Sequence, residues 1–288
     1  MGKEMGSHED RVKLLRSDSE RFWQYLQNLS DEAWIGQSAC SRWQVRDVVV
    51  HLMGNAEGYA GSVSRGLNGD SSPPEGRGPA GASSAASSAD GLAQRVLSQR
   101  ESMGGRLLPA YQEQDSHLIA LLAGLNPQDQ DRPCYHPGGI VPAGNFVDLR
   151  FKELAMHAWD IQSRLEADAR LIPDSLPSII LLISKSVASG SLPWAFWPGP
   201  GLASTVRYRF EVAEPVPVNA QIAVEGDKAR LEDSAGESAD VTFRCDTETF
   251  ALLMYGRLAA EPAVAEGRLV VEGDAELAAQ FSHWFKGI

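Results

Sequence analysis

The 288-residue chain is predicted to fold as a helical bundle followed by a small α+β domain, with the boundary near residue 172. Three observations carry this expectation. Apolar residues recur at helical spacing through the first half and beyond. Pro173, Asp174 and Pro177 then interrupt the pattern. Past Thr205, apolar and polar residues alternate as on half-buried strands.

Taken in order, Val12, Leu15, Phe22, Leu26 and Leu29 form the stripe of a first helix. Ser30 and Asp31 offer capping chemistry before a short turn containing Trp34. A second helix is expected from about Trp43 to Val63, striped by Val45, Val48, Val49, Leu52, Ala56 and Tyr59, with His51 at the edge of the stripe. Ser, Pro, Gly and Ala dominate 70–90, which reads as a long exposed loop. A third helical region runs from Gly91 to about Leu122, weakened by Gly104, Gly105 and Pro109, where a kink or break is expected. A loop rich in Pro and Gly, Asn126 to Gly144, leads to the helix carrying Glu153 and His157. Four amphipathic helices joined in this way define a four-helix bundle, residues 1–172. The remainder, residues 173–288, begins with a helix over Ser175 to Ser189 and a loop from Pro193 to Pro200. Strands follow at 205–212, 218–225 and 239–245, then a helix at 247–255, a strand at 268–272 and a helix at 275–285. That mixture is an α+β domain. No internal repeat is visible.

A formal charge of −12 with scattered Lys and Arg argues against nucleic acid and against anionic membrane surfaces. Cys40, Cys134 and Cys245 are odd in number and far apart, which is not a disulfide framework, and there is no CxxC pair. A reducing cytoplasm is the expected location. No apolar run is long enough to span a bilayer. The expected assembly is a monomer or weak homodimer.

The segment most suited to chemistry is Leu149 to Asp160. Glu153, His157 and Asp160 fall at i, i+4 and i+7, which stacks them along one helix face. A carboxylate and an imidazole one turn apart can chelate one metal ion, and His51 offers a third ligand from upstream. Two imidazoles and a carboxylate suit zinc with an open fourth position. Asp160 is spaced to hydrogen-bond a ligand imidazole from outside. The same residues also fit a structural buried histidine and a weak exposed Glu–His pair. Arg150, one turn before Glu153, could hold a substrate carboxylate or brace Glu153 as an i, i+3 ion pair. Cys134 and His136 could act as nucleophile and base, although no orienting third group is evident. Trp194, Phe196 and Trp197 could line an apolar cleft or serve as packing.

Two stretches carry a family resemblance. Ser41 to Leu52 resembles the W-x-V-R-D-V-x-x-H-L segment of the mycothiol-dependent maleylpyruvate isomerase family, part of the broader DinB-like metalloenzyme bundles. Arg150 to Asp160 resembles that family's R-x-x-E-x-x-x-H-x-W-D segment. Gly267 to Asp274 is similar to the family's C-terminal domain, which is like sterol carrier protein 2. The resemblance covers nearly the whole chain and implies His51, Glu153 and His157 as zinc ligands. It implies a low-molecular-weight thiol such as mycothiol as cofactor and a small electrophile as substrate, isomerised or conjugated. It also implies an arginine reaching the site from the second domain. Arg257 is the candidate, unless it is only a cation at a helix end. Two other outcomes fit the same residues. One is a metal-dependent hydrolase with Asp160 or another carboxylate as base. The other is a non-catalytic protein that binds an apolar ligand and has a structural metal.

Overall fold

The first helix starts where Ser7 and Asp10 cap each other's backbone amides, each at 3.2 Å. In the computed structural model this is α1 (His8–Gln27), which buries Val12, Leu15, Phe22 and Leu26. The structure describes residues 6–81, 85–188, 197, 202, 204–226, 228–232 and 238–286. The turn expected around Trp34 is a short helix, α2 (Asp31–Ile35), because the Ser30 hydroxyl accepts from the Ala33 amide. Helix α3 (Val45–Leu67) begins with the Asp47 carboxylate accepting from the Gln44 amide at 2.9 Å.

The stretch expected as an exposed loop over 70–90 is shorter than predicted. Helix α4 (Ala85–Met103) begins inside it. Ala85, Ala86 and Ala89 are strong helix formers, and their propensity outweighs that of the intervening serines. Part of what precedes is pinned: the Tyr135 hydroxyl donates to the Gly78 carbonyl at 2.9 Å, and the Gly81 amide donates to the Pro137 carbonyl at 2.8 Å. The third helical region breaks where Gly104 and Gly105 stand. A single 3-10 turn, with Gly104 at φ 54°, separates α4 from α5 (Leu107–Ala123). Pro109 falls in the first turn of α5, where a missing amide is tolerated.

The loop expected over 126–144 contains a short helix, α6 (Pro127–Gln130), and a hairpin of β1 (Pro133–His136) with β2 (Gly139–Pro142). Its prolines and glycines concealed the strands. Helix α7 (Phe146–Gln162) follows, and nearly all of its residues are buried. Helix α1 packs on α5 and α7, and α3 packs on the same two, so these helices surround one core.

The main boundary between two compact units falls between Ser175 and Leu176. The second opens with α8 (Leu176–Ala188). Its sheet contains β3 (Val206–Val212), β4 (Val218–Glu225), β5 (Lys228–Glu232), β6 (Val241–Cys245) and β7 (Leu269–Gly273), in the order β5-β4-β3-β6-β7. Among the described residues of this sheet, only β3 and β6 pair in parallel. Helices α9 (Thr247–Met254) and α10 (Ala260–Ala265) connect β6 to β7, and α11 (Ala275–Trp284) follows β7. Strand β5 and helix α10 were not expected from the pattern. Tyr208, Phe210, Phe243, Phe250 and Phe281 form the aromatic core, with ring centroids 5.0 to 6.0 Å apart. Trp194 and Phe196 lie outside the described residues. Trp197 donates its amide to the Trp284 carbonyl at 2.8 Å.

Gly66 lets β1 lie directly on α3. A Cβ there would collide with Cys134 Sγ and lie 2.8 Å from the Pro133 carbonyl oxygen. Gly66→Ala is therefore expected to destabilise the first unit by about 1–3 kcal/mol through overpacking, measured by urea denaturation. A variant as stable as the wild type would contradict this close approach.

Candidate functional site

Helices α3 and α7 meet side by side, and His51 from one faces Glu153 and His157 from the other. His51 Nε2 lies 3.1 Å from Glu153 Oε2, and His157 Nε2 lies 3.6 Å from the same oxygen. The two imidazole rings stand edge to face with centroids 4.6 Å apart. Glu153 and His157 are buried, and His51 is partly so. Buried Trp43, at the entrance to α3, places its ring 5.0 Å from that of His51 and 6.2 Å from that of His157. Lys152 forms an ion pair with the other Glu153 oxygen, Oε1.

Asp160 is fully buried and accepts from His157 Nδ1 at 2.8 Å and from the Cys40 thiol at 3.1 Å. The loop carrying Cys40 is tied to α7 by the Ala39 amide, which donates to the Asp160 carbonyl at 2.7 Å. With Nδ1 donating to Asp160, a neutral His157 turns the lone pair of Nε2 toward a carboxylate oxygen. Two acceptors then face each other, and the arrangement calls for a cation between them.

In the metal-free protein that cation is a proton. Burial alone would lower the His157 pKa, but hydrogen bonds to Asp160, Cys40 and Glu153 raise it well above the ordinary imidazole value. Burial alone would raise Glu153, but the Lys152 charge and the hydrogen bonds from His157 and His51 hold it well below the carboxylate range. Burial lowers His51.

The three donor atoms, His51 Nε2, Glu153 Oε2 and His157 Nε2, also match a metal-ligand set. All lie within 4.8 Å of one another. Ligand atoms held about 2.0–2.1 Å from a zinc ion at tetrahedral angles are separated by roughly 3.3 Å. The observed 3.1 and 3.6 Å bracket that value.

The structure thus brings His51, Glu153, His157 and Asp160 together. It places Arg150 elsewhere. This side chain is fully buried, and its guanidinium donates to Asp115 at 2.7 and 3.0 Å, to the Leu52 carbonyl at 3.0 Å and to Asn55 at 2.9 Å. It therefore braces Asp115 and not Glu153, and no part of it is exposed to take a substrate carboxylate. Arg257 belongs to the second unit, where it follows α9 and donates to the Tyr255 carbonyl at 2.9 Å. The Cys134–His136 pairing does not hold. Burial pushes the Cys134 thiol up to about 11, and its contact is with the Arg132 carbonyl. His136 instead faces Tyr59. Sequence reasoning missed Lys152, Asn55, Tyr59 and Cys40 as neighbours of the site. His51, Asn55 and Tyr59 recur every four residues on α3, a spacing that could have revealed two of them. Nothing in the sequence pointed to Cys40.

The architecture defines a class: a helical domain with a buried carboxylate–imidazole cluster, followed by an α+β domain. Residues 15–162 match the family model described as the mycothiol maleylpyruvate isomerase N-terminal domain, and residues 203–286 match the SCP-2 sterol transfer family. The chain belongs to the mycothiol maleylpyruvate isomerase N-terminal domain family. Two solved structures share the fold. One is a mutant of the mycothiol-dependent maleylpyruvate isomerase, with TM-score 0.62 and 14% identity over 94% of this chain and 95% of that one. The other is the mycothiol-dependent maleylpyruvate isomerase itself, with TM-score 0.60 and 15% identity over 88% and 90%. No curated protein sequence matches the chain. No helix among the described residues is long and apolar enough to cross a membrane.

Two predictions follow from these contacts. Replacing Arg150 with Met leaves Asp115 buried without its counter-charge and should cost about 3–5 kcal/mol, read by urea denaturation; a loss below 1 kcal/mol would show that the pair is not a brace. The second concerns pH. The His157 pKa is raised above 6.5, so its proton stabilises the metal-free fold fully below pH 6.5, and that contribution is lost as the pH rises through the raised value. The metal-free Tm should fall over that range, and Asp160→Asn should flatten the fall. A wild-type Tm that does not fall would contradict the protonated imidazole.

Proposed function

We propose that the chain is an enzyme that holds one divalent metal ion, zinc, through His51 Nε2, Glu153 Oε2 and His157 Nε2. It uses a low-molecular-weight thiol of the mycothiol type to isomerise or conjugate a small electrophile. The observation that carries this proposal is the convergence of two imidazole nitrogens on one carboxylate oxygen, with no fourth protein ligand among the described residues. Membership of the family supports the thiol. When bound, zinc supplies Lewis acidity that lowers the pKa of a thiol in the open position.

The protein's residues set the conditions for that chemistry. Asp160 holds His157 in the tautomer that frees Nε2 and makes it more basic. Trp43 shields the two imidazoles from bulk water. Lys152 occupies Glu153 Oε1 and leaves Oε2 for the metal. A hydrolase would require a carboxylate poised to deprotonate water. Asp160 is fully buried and engaged by His157 and Cys40, which disfavours that role.

Elemental analysis of purified protein is expected to find about one zinc ion per chain, lost in the His51→Ala/His157→Ala double variant. Calorimetric titration of the zinc-loaded protein with mycothiol, in buffers of different ionisation enthalpy, should show binding with release of a proton. Full metal occupancy in the double variant would refute the ligand set. Absence of thiol binding would refute the thiol chemistry and leave the metal site standing.

A further inference from the structure

A second cavity lies where α1 meets the far end of α7, away from the contact of His51 on α3 with Glu153 and His157. It is a cleft of about 330 Å³. That is the low end of the range for small-molecule sites, roughly 300–1,000 Å³. Ala158 and Gln162, one turn apart on α7, line it together with Asp18, Arg21 and Phe22 of α1. Leu171 and Ile172 add apolar surface beside Phe22, and Arg170 adds a guanidinium.

The charges of the cleft are unevenly buried. Asp18 is fully buried. Its Oδ1 accepts from Arg21 Nη2, but its Oδ2 is buried too and has no hydrogen-bond partner among the described residues. A buried carboxylate oxygen without a donor is costly and uncommon, so its presence in a cleft calls for a donor from outside the chain. The Arg21 side chain, by contrast, is 60% exposed. Arg170 is exposed as well. An unmatched anionic acceptor therefore lies inside the cleft, and two cationic donors lie toward solvent.

We propose that this cleft binds a small zwitterion, an α-amino acid with an apolar side chain. The ammonium group donates to Asp18 Oδ2, the carboxylate accepts from Arg21 and Arg170, and the side chain packs on Phe22, Leu171 and Ile172. Three features select this class. The unmatched inner atom belongs to a carboxylate, for which a cationic donor is the strongest partner. The exposed groups are guanidiniums, whose planar fork suits a carboxylate. Asp18 and Arg21 touch, so the ligand's two charges must also lie close together, as on one carbon atom. A simple amine would meet two arginines and a simple acid would meet Asp18, so like charge works against either alone. Neither a metal nor a thiol takes part in this binding.

Calorimetric titration of the purified full chain tests the assignment. The probes are L-phenylalanine and L-leucine, each compared with the acid lacking its amino group and the amine lacking its carboxyl group. At least one amino acid should bind once per chain. Its two analogues should bind about tenfold to a hundredfold more weakly, the factor for losing one charge-assisted hydrogen bond. Asp18→Asn and Arg21→Gln should each weaken the amino acid by a similar factor and leave zinc content unchanged, which keeps a failure here separate from the metal site. Arg21 is exposed, so Arg21→Gln decides alone if Asp18→Asn does not fold. Failure of both amino acids to bind would mean that the cleft holds only water and would overturn the proposal. So would an acid or amine that binds as tightly as its amino acid, which would mark a plain apolar or singly charged site. Binding unaffected by Arg21→Gln would place the ligand elsewhere and overturn it as well.

Discussion

The first unit is organised around the buried pair of Arg150 and Asp115. Arg150 comes from α7 and Asp115 from α5. The guanidinium also donates to the Leu52 carbonyl and to Asn55 on α3, and the Ser19 hydroxyl from α1 donates to Asp115. A single charge pair therefore touches every helix of the core. Removing two charges from water is expensive, and the cost is offset only when their remaining hydrogen-bonding capacity is used. Here most of that capacity is used, and the geometry this requires fixes the rotation of α3 against α7. Arg150 precedes Glu153 by one turn and Leu52 adjoins His51, so the constraint that satisfies the guanidinium also sets where His51 and Glu153 meet.

The cluster beside it is balanced differently. Glu153 faces two imidazoles through one oxygen and Lys152 through the other. Asp160 sits behind His157 and is itself fully buried. Two carboxylates thus flank one ring, which explains why this imidazole holds a proton against burial while His51, without a carboxylate behind it, is lowered. A divalent ion would replace that proton and serve all three donor atoms together. The asymmetry between the two histidines is consistent with a site prepared for a cation, since a purely structural pair needs no second carboxylate.

Much of this was legible in the sequence because it depends on spacing within single helices. The stripes of α1 and α3, the break at Gly104 and the i, i+4, i+7 face of α7 are local properties, and local periodicity reports them directly. The partner of Arg150 was not legible. Glu153 is its neighbour in sequence, but Asp115 is its neighbour across the core, and only packing decides between them. The β1–β2 hairpin was concealed because Pro133, Pro137, Pro142, Gly138 and Gly139 carry loop signals, although they also suit an edge and a tight turn. Helix α4 was expected from Gly91, and only its start at Ala85 was missed, for a similar reason: a serine-rich composition masked three helix-forming alanines. His136 was noticed for the wrong partner, since its pairing with Tyr59 spans residues far apart in the chain.

Burial across the site is graded, and the grading constrains the direction from which a ligand can come. Asp160 is fully buried, Glu153 and His157 are nearly so, and His51, Asn55, Lys152 and His136 are partly exposed. The sealed side holds the carboxylate that orients His157, where exclusion of water strengthens the hydrogen bond. Lys152 is the cation among these partly exposed residues, so electron-rich oxygen atoms on a ligand would be favoured there over cationic groups. The hairpin carrying His136 is held to α3 through Gly66 and to residues 76–81 through Tyr135 and Pro137. A segment with loop composition is thereby fixed in place, and it holds the His136 ring against Tyr59 and Phe146.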